Sequence, residues 1–324
     1  MFAQRTLMAA MAVLSIGLAV PATAQAFPDG DIQFVVPFSP GGGTDIASRV
    51  LTERIAAQKG WNFVIENRPG AGGNIGIAQV ARANAKGQVL GMGQTSNLAI
   101  NPTLYDDIPY DALKDFTPIA LVSSQPMVIA VAAGAPYESF GDLVEAARAN
   151  PATITMSTPG AGTVSHLAME QFSQMADVEF VHIPYPGATQ AITDAIGGHI
   201  DFAASSLPSA LSHIRSGSLR ALAVTSAERN FALPDVPTIA EAGYAGFDAG
   251  DWKAVVGPAG LPQAVVASVN AAVNDALTDA RLQDAFAAEG STTGGGTPED
   301  LAALMEAEFN RWAQIVSASG ATTE

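Results

Sequence analysis

Two short segments of this 324-residue chain carry residue types that can grip an anion without any basic side chain. Ser39-Pro-Gly-Gly-Gly-Thr-Asp45 and Thr158-Pro-Gly-Ala-Gly-Thr163 share the pattern hydroxyl-Pro-Gly-x-Gly-Thr, and each stands between a β-rich run and a helical pattern. Glycine lets backbone approach a ligand closely and adopt positive φ. The threonine is suited to cap a helix whose first amides have no internal acceptor. The helix dipole adds about half a positive charge at that end. Together these parts make an anion site, and a carboxylate suits it because several donors converge on two oxygens. The competing reading of either segment alone is a tight strand-to-helix turn. Neither is a nucleotide fingerprint: no Walker-type GxxxxGKS/T run occurs, and Gly70-Ala-Gly-Gly-Asn-Ile75 departs from GxGxxG at its last position. Asp45 falls in a helical first turn, where it either caps or bonds a ligand hydroxyl or a bridging water.

A search for catalysis finds less. Four histidines are present, His166, His182, His199 and His213, without HExxH or another tight metal-ligand spacing, so no metal site is expected. There is no GxSxG elbow, and no lysine stands three residues after a serine. His166, near the helix start after the second glycine turn, either approaches a ligand or packs. The carboxylates are plentiful but scattered. Acid–base pairs can assemble from distant positions, so an enzyme acting on a small organic acid through His166 or Asp45 stays as the alternative. The census favours binding, with no catalytic residue and no cofactor expected.

The elements that would position these turns read as alternating strands and helices. Asp31–Pro37 is β-rich, followed by a helical pattern through Ile46, Val50, Leu51 and Ile55. Phe63–Ile65 is strand-like, and Asn74 is placed to cap a helix carrying Ile77, Val80 and Ala81. Further strands are expected at 127–131, 154–157, 178–183 and 219–224. Helices are expected at 138–149, after Thr163, at 188–196, at 262–288 with a break near Thr278-Asp279, and at 298–318. This order is that of parallel βαβ units, and no low-complexity linker divides it. Two α/β lobes, with the chain crossing between them more than once, are expected.

Composition narrows the partner. With 15 basic and 31 acidic side chains the formal charge is −16, so no basic footprint exists for nucleic acid. The absence of cysteine excludes a disulfide framework, a thiol nucleophile and thiolate zinc. The first 26 residues, with Arg5, an apolar run from Leu7 to Val20 and small-residue sites ending at Ala24 and Ala26, have the layout of a secretory signal peptide. The expected mature chain is exported, is cut near Ala24 or Ala26, and carries a charge of −17 once Arg5 is lost.

The residues now support a resemblance. Val36-Pro-Phe-Ser-Pro-Gly-Gly-Gly-Thr-Asp45, Val64-Ile-Glu-Asn-Arg-Pro-Gly-Ala-Gly-Gly-Asn74, Ala99-Ile-Asn-Pro-Thr-Leu-Tyr105, Ser157–Thr163 with His166-Leu167, His182-Ile-Pro-Tyr185, Leu207-Pro-Ser-Ala210 and Gly257-Pro-Ala-Gly260 resemble the tripartite tricarboxylate transporter substrate-binding family, the Bug-type extracytoplasmic solute receptors. The likeness runs through essentially the whole mature chain.

It implies a two-lobed periplasmic binding protein fold, type II-like, each lobe a mixed sheet flanked by helices with the ligand cleft between. Lobe 1 would be 27–125 plus 250–324, lobe 2 would be 126–249, and hinges would lie near 124–127 and 247–253. The implied function is capture of a small organic carboxylate, a dicarboxylate gripped at one end by each lobe being one form. Delivery would be to the permease subunits of a tripartite transporter, or alternatively to a sensor, with the receptor a monomer. Carried over by motif, the first lobe's site residues are Phe38, Ser39, Gly41, Gly42, Thr44, Asp45, Thr95, Ser96 and Asn97. The second lobe's are Ser157, Pro159, Gly160, Gly162, Thr163, His166, Tyr185, Ser205 and Ser206. Phe38 and Tyr185 are equally readable as packing residues. Two departures stand out. Ala203-Ala-Ser-Ser206 lacks the acidic or amide residue many relatives place before Leu-Pro-Ser, and Asp251-Trp-Lys253 replaces Ser-Trp-apolar. Lys253 either adds positive charge near the cleft or, the preferred reading, lies on the surface, while Trp252 is readable as cleft lining or as packing.

Overall fold

A computed structural model of the protein describes residues 27–319, 321 and 322, so the signal-peptide reading of 1–26 lies outside the described residues. The chain begins β1 (Ile32–Val36), α1 (Gly43–Lys59), β2 (Phe63–Asn67), α2 (Asn74–Ala81) and β3 (Val89–Gln94). β1 lies between β2 and β3 and is parallel to both. Its IQFVV sequence is almost wholly buried because helices cover both faces, the usual condition of a parallel sheet. Alternation then sorts its side chains: Ile32, Phe34 and Val36 join the core under α1, whereas Val35 joins the core that holds Ile77 and Val80 of α2.

After a π-helical turn (Ser96–Ile100) and the single turn α3 (Asn101–Leu104), the chain enters β4, which runs 17 residues from Phe116 to Ala132. This strand belongs to both halves of the molecule. Through Pro126 it pairs antiparallel with β9 (Gly250–Pro258), and β10 (Thr292–Gly295) also pairs with its first part. From Met127 onward it pairs antiparallel with β7 (Phe202–Ser206) and β8 (Leu219–Val224). The expected strand at 127–131 is therefore only the second part of a longer one. Pro118 and Pro126 make the first part look like loop. In the structure Pro118 stands next to a register shift and Pro126 at the change of partner, the irregular places where a strand tolerates proline.

The second half holds α4 (Phe140–Ala149), β5 (Thr155–Thr158), α5 (Val164–Ala176), β6 (Val181–Pro184), α6 (Ala188–Ile196) and α7 (Leu207–Arg215). Its strand order is β4-β7-β5-β6, with β5 parallel to both neighbours. After β9 come α8 (Gln263–Leu277), α9 (Ala280–Ala288) and α10 (Pro298–Ser319). The break between α8 and α9 is built by Asp279, whose carboxylate accepts from the amides of Arg281 and Leu282 as an N-cap. α10 fastens the halves together: its Leu301, Met305, Trp312 and Val316 join a core that contains both Ile77 and Phe172 of α5. Asn74 does not cap α2, because Gly73 occupies that position. Its amide oxygen instead accepts from Asn101 (2.7 Å) and Tyr110 (2.7 Å).

Candidate functional site

Parallel strands send their carboxyl ends to one edge, and ligands of open α/β sheets bind there. Here β1, β5, β6 and β7 each lead at that end into a helix, and the four helix starts meet. A cavity of about 40 Å³ is lined by Gly42, Gly43 and Thr44 at the start of α1. Thr163, Val164 and Ser165 at α5, Gly187 and Ala188 at α6, and Ser206 before α7 complete the ring of helix starts. Phe38, Ser39, Gln94, Ser96, Met127, Pro159, Asp251 and Lys253 form the remaining wall. That volume suits a few water molecules, and the halves touch across it. Ser39 Oγ donates to Pro186 O at 3.0 Å, the Gly43 amide to Ser209 Oγ at 2.9 Å, and Tyr105 Oη to Ala161 O at 3.2 Å. The cleft is closed.

The two glycine turns are built differently. Thr163 is the N-cap of α5: its hydroxyl accepts from the His166 amide and donates to Gly160 O at 2.8 Å. Thr44 does not cap, because the N-cap of α1 is Gly42 and Thr44 lies one residue inside the helix. Its hydroxyl bonds to Gln94 Oε1 at the end of β3. Asp45 does the holding. Its buried carboxylate accepts from the Gly41 amide (3.0 Å), Asn67 Nδ2 (2.9 Å) and Arg49 Nε (2.9 Å). Burial alone would raise its pKa, but these hydrogen bonds from Arg49, Gly41 and Asn67 outweigh it and keep the carboxyl below its usual value. Asp45 thus fixes the Pro40–Gly42 turn from behind and lies outside the cavity lining.

Of the motif-derived residues, Phe38, Ser39, Gly42, Thr44, Ser96, Pro159, Thr163 and Ser206 line the cavity. Gly160 and Tyr185 line a neighbouring one of about 220 Å³ that shares Phe38 and Pro159 and reaches the Gly70–Gly73 turn. Gly41, Gly162, Thr95, Asn97, Ser157 and Ser205 lie outside both linings. Thr95 Oγ1 accepts from the Trp252 amide (2.9 Å), Asn97 Oδ1 from the Gln94 amide (3.1 Å), and Ser157 Oγ donates to Ala191 O (3.0 Å). His166 is buried and stacks on His182 with ring centroids 4.0 Å apart. Burial, with His182 alongside, lowers its pKa to about 3, and burial lowers that of His182 to about 4. Both rings are neutral near pH 7, and neither lines the cavity.

Lys253 is the main correction. It is 1% exposed rather than on the surface, and it stands in the cavity wall with Asp251, two residues earlier on β9. Nζ lies 3.1 Å from Asp251 Oδ2, which also accepts from Gln125 Nε2 at 2.7 Å. Desolvation lowers the ammonium's pKa, with Asp251 opposing the shift. Nearby Glu289 is raised by burial to about 7, against the pull of Lys253. Two signals could have placed the lysine inside: Asp-x-Lys spacing puts both side chains on one strand face, and an apolar Ala-Val-Val run follows directly. Trp252 points away from the cavity wall and is buried in the core shared with α10.

With this geometry established, comparison with known proteins is informative. Residues 47–321 match the model of the tripartite tricarboxylate transporter family receptor. The chain belongs to that family. It is 36% identical to BugT of Bordetella pertussis over 310 residues, 95% of each chain. Among solved structures, one described as a periplasmic transporter superposes with a TM-score of 0.89 at 35% identity, covering 92% of this chain and all of that one. An R. palustris protein solved with adipate gives a TM-score of 0.88 at 33% identity, covering 91% and 99%. These neighbours bear out the two-lobed periplasmic binding protein fold. No helix among the described residues is long and apolar enough to cross a membrane.

Proposed function

We propose that this family receptor is exported to the periplasm, closes on a small organic carboxylate, and presents it to the membrane permease of a tripartite transporter. The observation that carries the reading is the convergence of four helix starts and one buried lysine on a single interlobe cavity. Each helix start brings about half a positive charge and amides without an intrahelical acceptor. A partly buried one contributes up to ~2 kcal/mol toward an anion. Four of them, with hydrogen bonds and enclosure, approach the about 8 kcal/mol that a micromolar receptor requires. Catalysis has less support: Asp45 is occupied by three donors, and His166 is packed against His182.

The lobes are taken as 27–125 with 250–324, and 126–249, in keeping with the change of strand partner at Pro126/Met127 and the start of β9 at Gly250. A dicarboxylate would set one end on the α1 turn and the other on the α5 turn. The adipate bound by the R. palustris relative is a dicarboxylate of this kind. A thermal-shift screen of the purified mature chain against mono-, di- and tricarboxylates tests the proposal. At least one acid should raise the melting temperature in a concentration-dependent way and be recovered unchanged by mass spectrometry. No shift with any acid, or chemical conversion of the bound acid, would overturn it.

A further inference from the structure

Asp251 and Lys253 sit side by side in the cavity wall, 5% and 1% exposed, yet their hydrogen bonding is incomplete. Asp251 Oδ2 is taken by Lys253 Nζ and Gln125 Nε2, while Asp251 Oδ1 is buried with no partner in the protein. Gln125 Oε1, on the amide that bonds the same carboxylate, is also buried and without a partner. Both orphans are acceptors. Buried acceptors are nearly always paired, so these two call for a donor the protein does not supply. The lysine, by contrast, has three N–H donors and spends one on Asp251.

We propose that Asp251 and Lys253 form a specificity-determining subsite that selects, among small carboxylates, those carrying a hydrogen-bond donor, a hydroxyl or an ammonium, which Asp251 Oδ1 accepts. The inference rests on the carboxylate reading above and deepens it. An acid without such a donor leaves the aspartate oxygen unpaired in a closed site, and sites built to hydrogen-bond a ligand group discriminate strongly against analogues lacking it. Lys253 engages only Asp251 Oδ2, which leaves Oδ1 open to the ligand donor, and its remaining N–H donors are available to the anionic end of the ligand. The pair is nearly neutral in sum, so it adds selectivity without opposing the helix starts.

The test is calorimetric titration of matched acids: butanedioate and hexanedioate, each against its 2-hydroxy and 2-amino derivatives. The wild-type protein should bind at least one substituted member about ten-fold or more tightly than its parent. The preferred derivative then tells hydroxyl from ammonium. A double variant, Asp251→Ser with Lys253→Met, removes both charges together so that neither is left buried alone. Whatever its absolute affinity, its preference for the substituted acid over the parent should fall close to one-fold. A wild-type preference near one-fold, or an undiminished preference in the double variant, overturns the subsite while leaving carboxylate binding intact. Absence of any acid binding to the wild type defeats the carboxylate reading itself. Should the double variant not fold, the wild-type ratio alone decides.

Discussion

Gly43 offers a direct handle on lobe closure. Its φ is not in the left-handed region, so alanine fits its backbone, and as the first residue of α1 it gains helix propensity on substitution. What it lacks is room across the cleft: a Cβ there would stand 2.8 Å from Ser206 Oγ and 3.6 Å from Ser206 Cβ and Pro208 Cβ. The last two separations are ordinary contacts, so only the hydroxyl must yield. Ser206 can rotate away, but it then forfeits its 2.8 Å hydrogen bond with Ser209, the residue that receives the Gly43 amide. One lost hydrogen bond is worth about 1 kcal/mol, and residual crowding brings the penalty to about 1–2 kcal/mol. Because the contact exists only when the halves meet, Gly43→Ala should weaken ligand binding by roughly 5–30-fold. The melting temperature of the ligand-free protein should stay unchanged or rise. Titration calorimetry of Gly43→Ala, Ser206→Ala and the double variant reads the effect as a cycle. With the hydroxyl gone, adding the Gly43 methyl should cost less than a third of its effect in the wild-type background. Wild-type affinity in Gly43→Ala, or equal effects in both backgrounds, would refute closure through this contact.

Two further outcomes follow from the buried polar groups. The stacked His166–His182 pair has lowered pKa values, about 3 and about 4, against 6.5 unfolded. A depressed folded pKa means that the unfolded chain takes up protons first. Stability should therefore be full above pH 6.5 and fall as the pH drops toward 4, by up to about 1.4 kcal/mol per pH unit for each ring. Chemical denaturation across this range should show the loss, and His166→Gln with His182→Gln should flatten the slope. Asp45→Ala should lower the melting temperature by roughly 5–10 °C, because it orphans the Gly41 amide and takes from Asn67 and Arg49 the buried carboxylate they share. It should also weaken acid binding through the loosened turn, as calorimetry at a temperature where the variant stays folded would show.

Much of the framework was legible in the sequence because periodicity and turn residues act locally. The helix at 188–196 and the strand at 219–224 have their expected limits, and Asp279 breaks the helix near the expected place. The site was legible as two turns and not as four. Ser206-Leu-Pro208 and Pro186-Gly187 mark helix starts, but only the sheet order brings those starts to one edge. The roles inside each turn were less readable. Identical Pro-Gly-x-Gly-Thr patterns place Thr163 before its helix and Thr44 within, because Asp45 ties down the first turn and Gln94 takes the Thr44 hydroxyl. Lys253 was misplaced for a general reason: lysine is almost never buried unless paired. Its partner Asp251 stands two residues away on the same strand, but the Gln125 amide of β4 that also holds this carboxylate reaches it only in the folded sheet. The acidity of the chain opposes long-range steering of anions, but helix starts act within a turn's length and need no excess of basic side chains.

The central claim, a carboxylate held by converging helix starts between closed lobes, meets its most direct test in a crystal structure of the tightest-binding acid from the screen. The account predicts carboxylate oxygens within about 3 Å of backbone amides or hydroxyls from both the Gly42–Thr44 and the Thr163–Ser165 turns, directly or through one ordered water. An acid seated outside this cavity, or bound to one lobe with the halves apart, would contradict it.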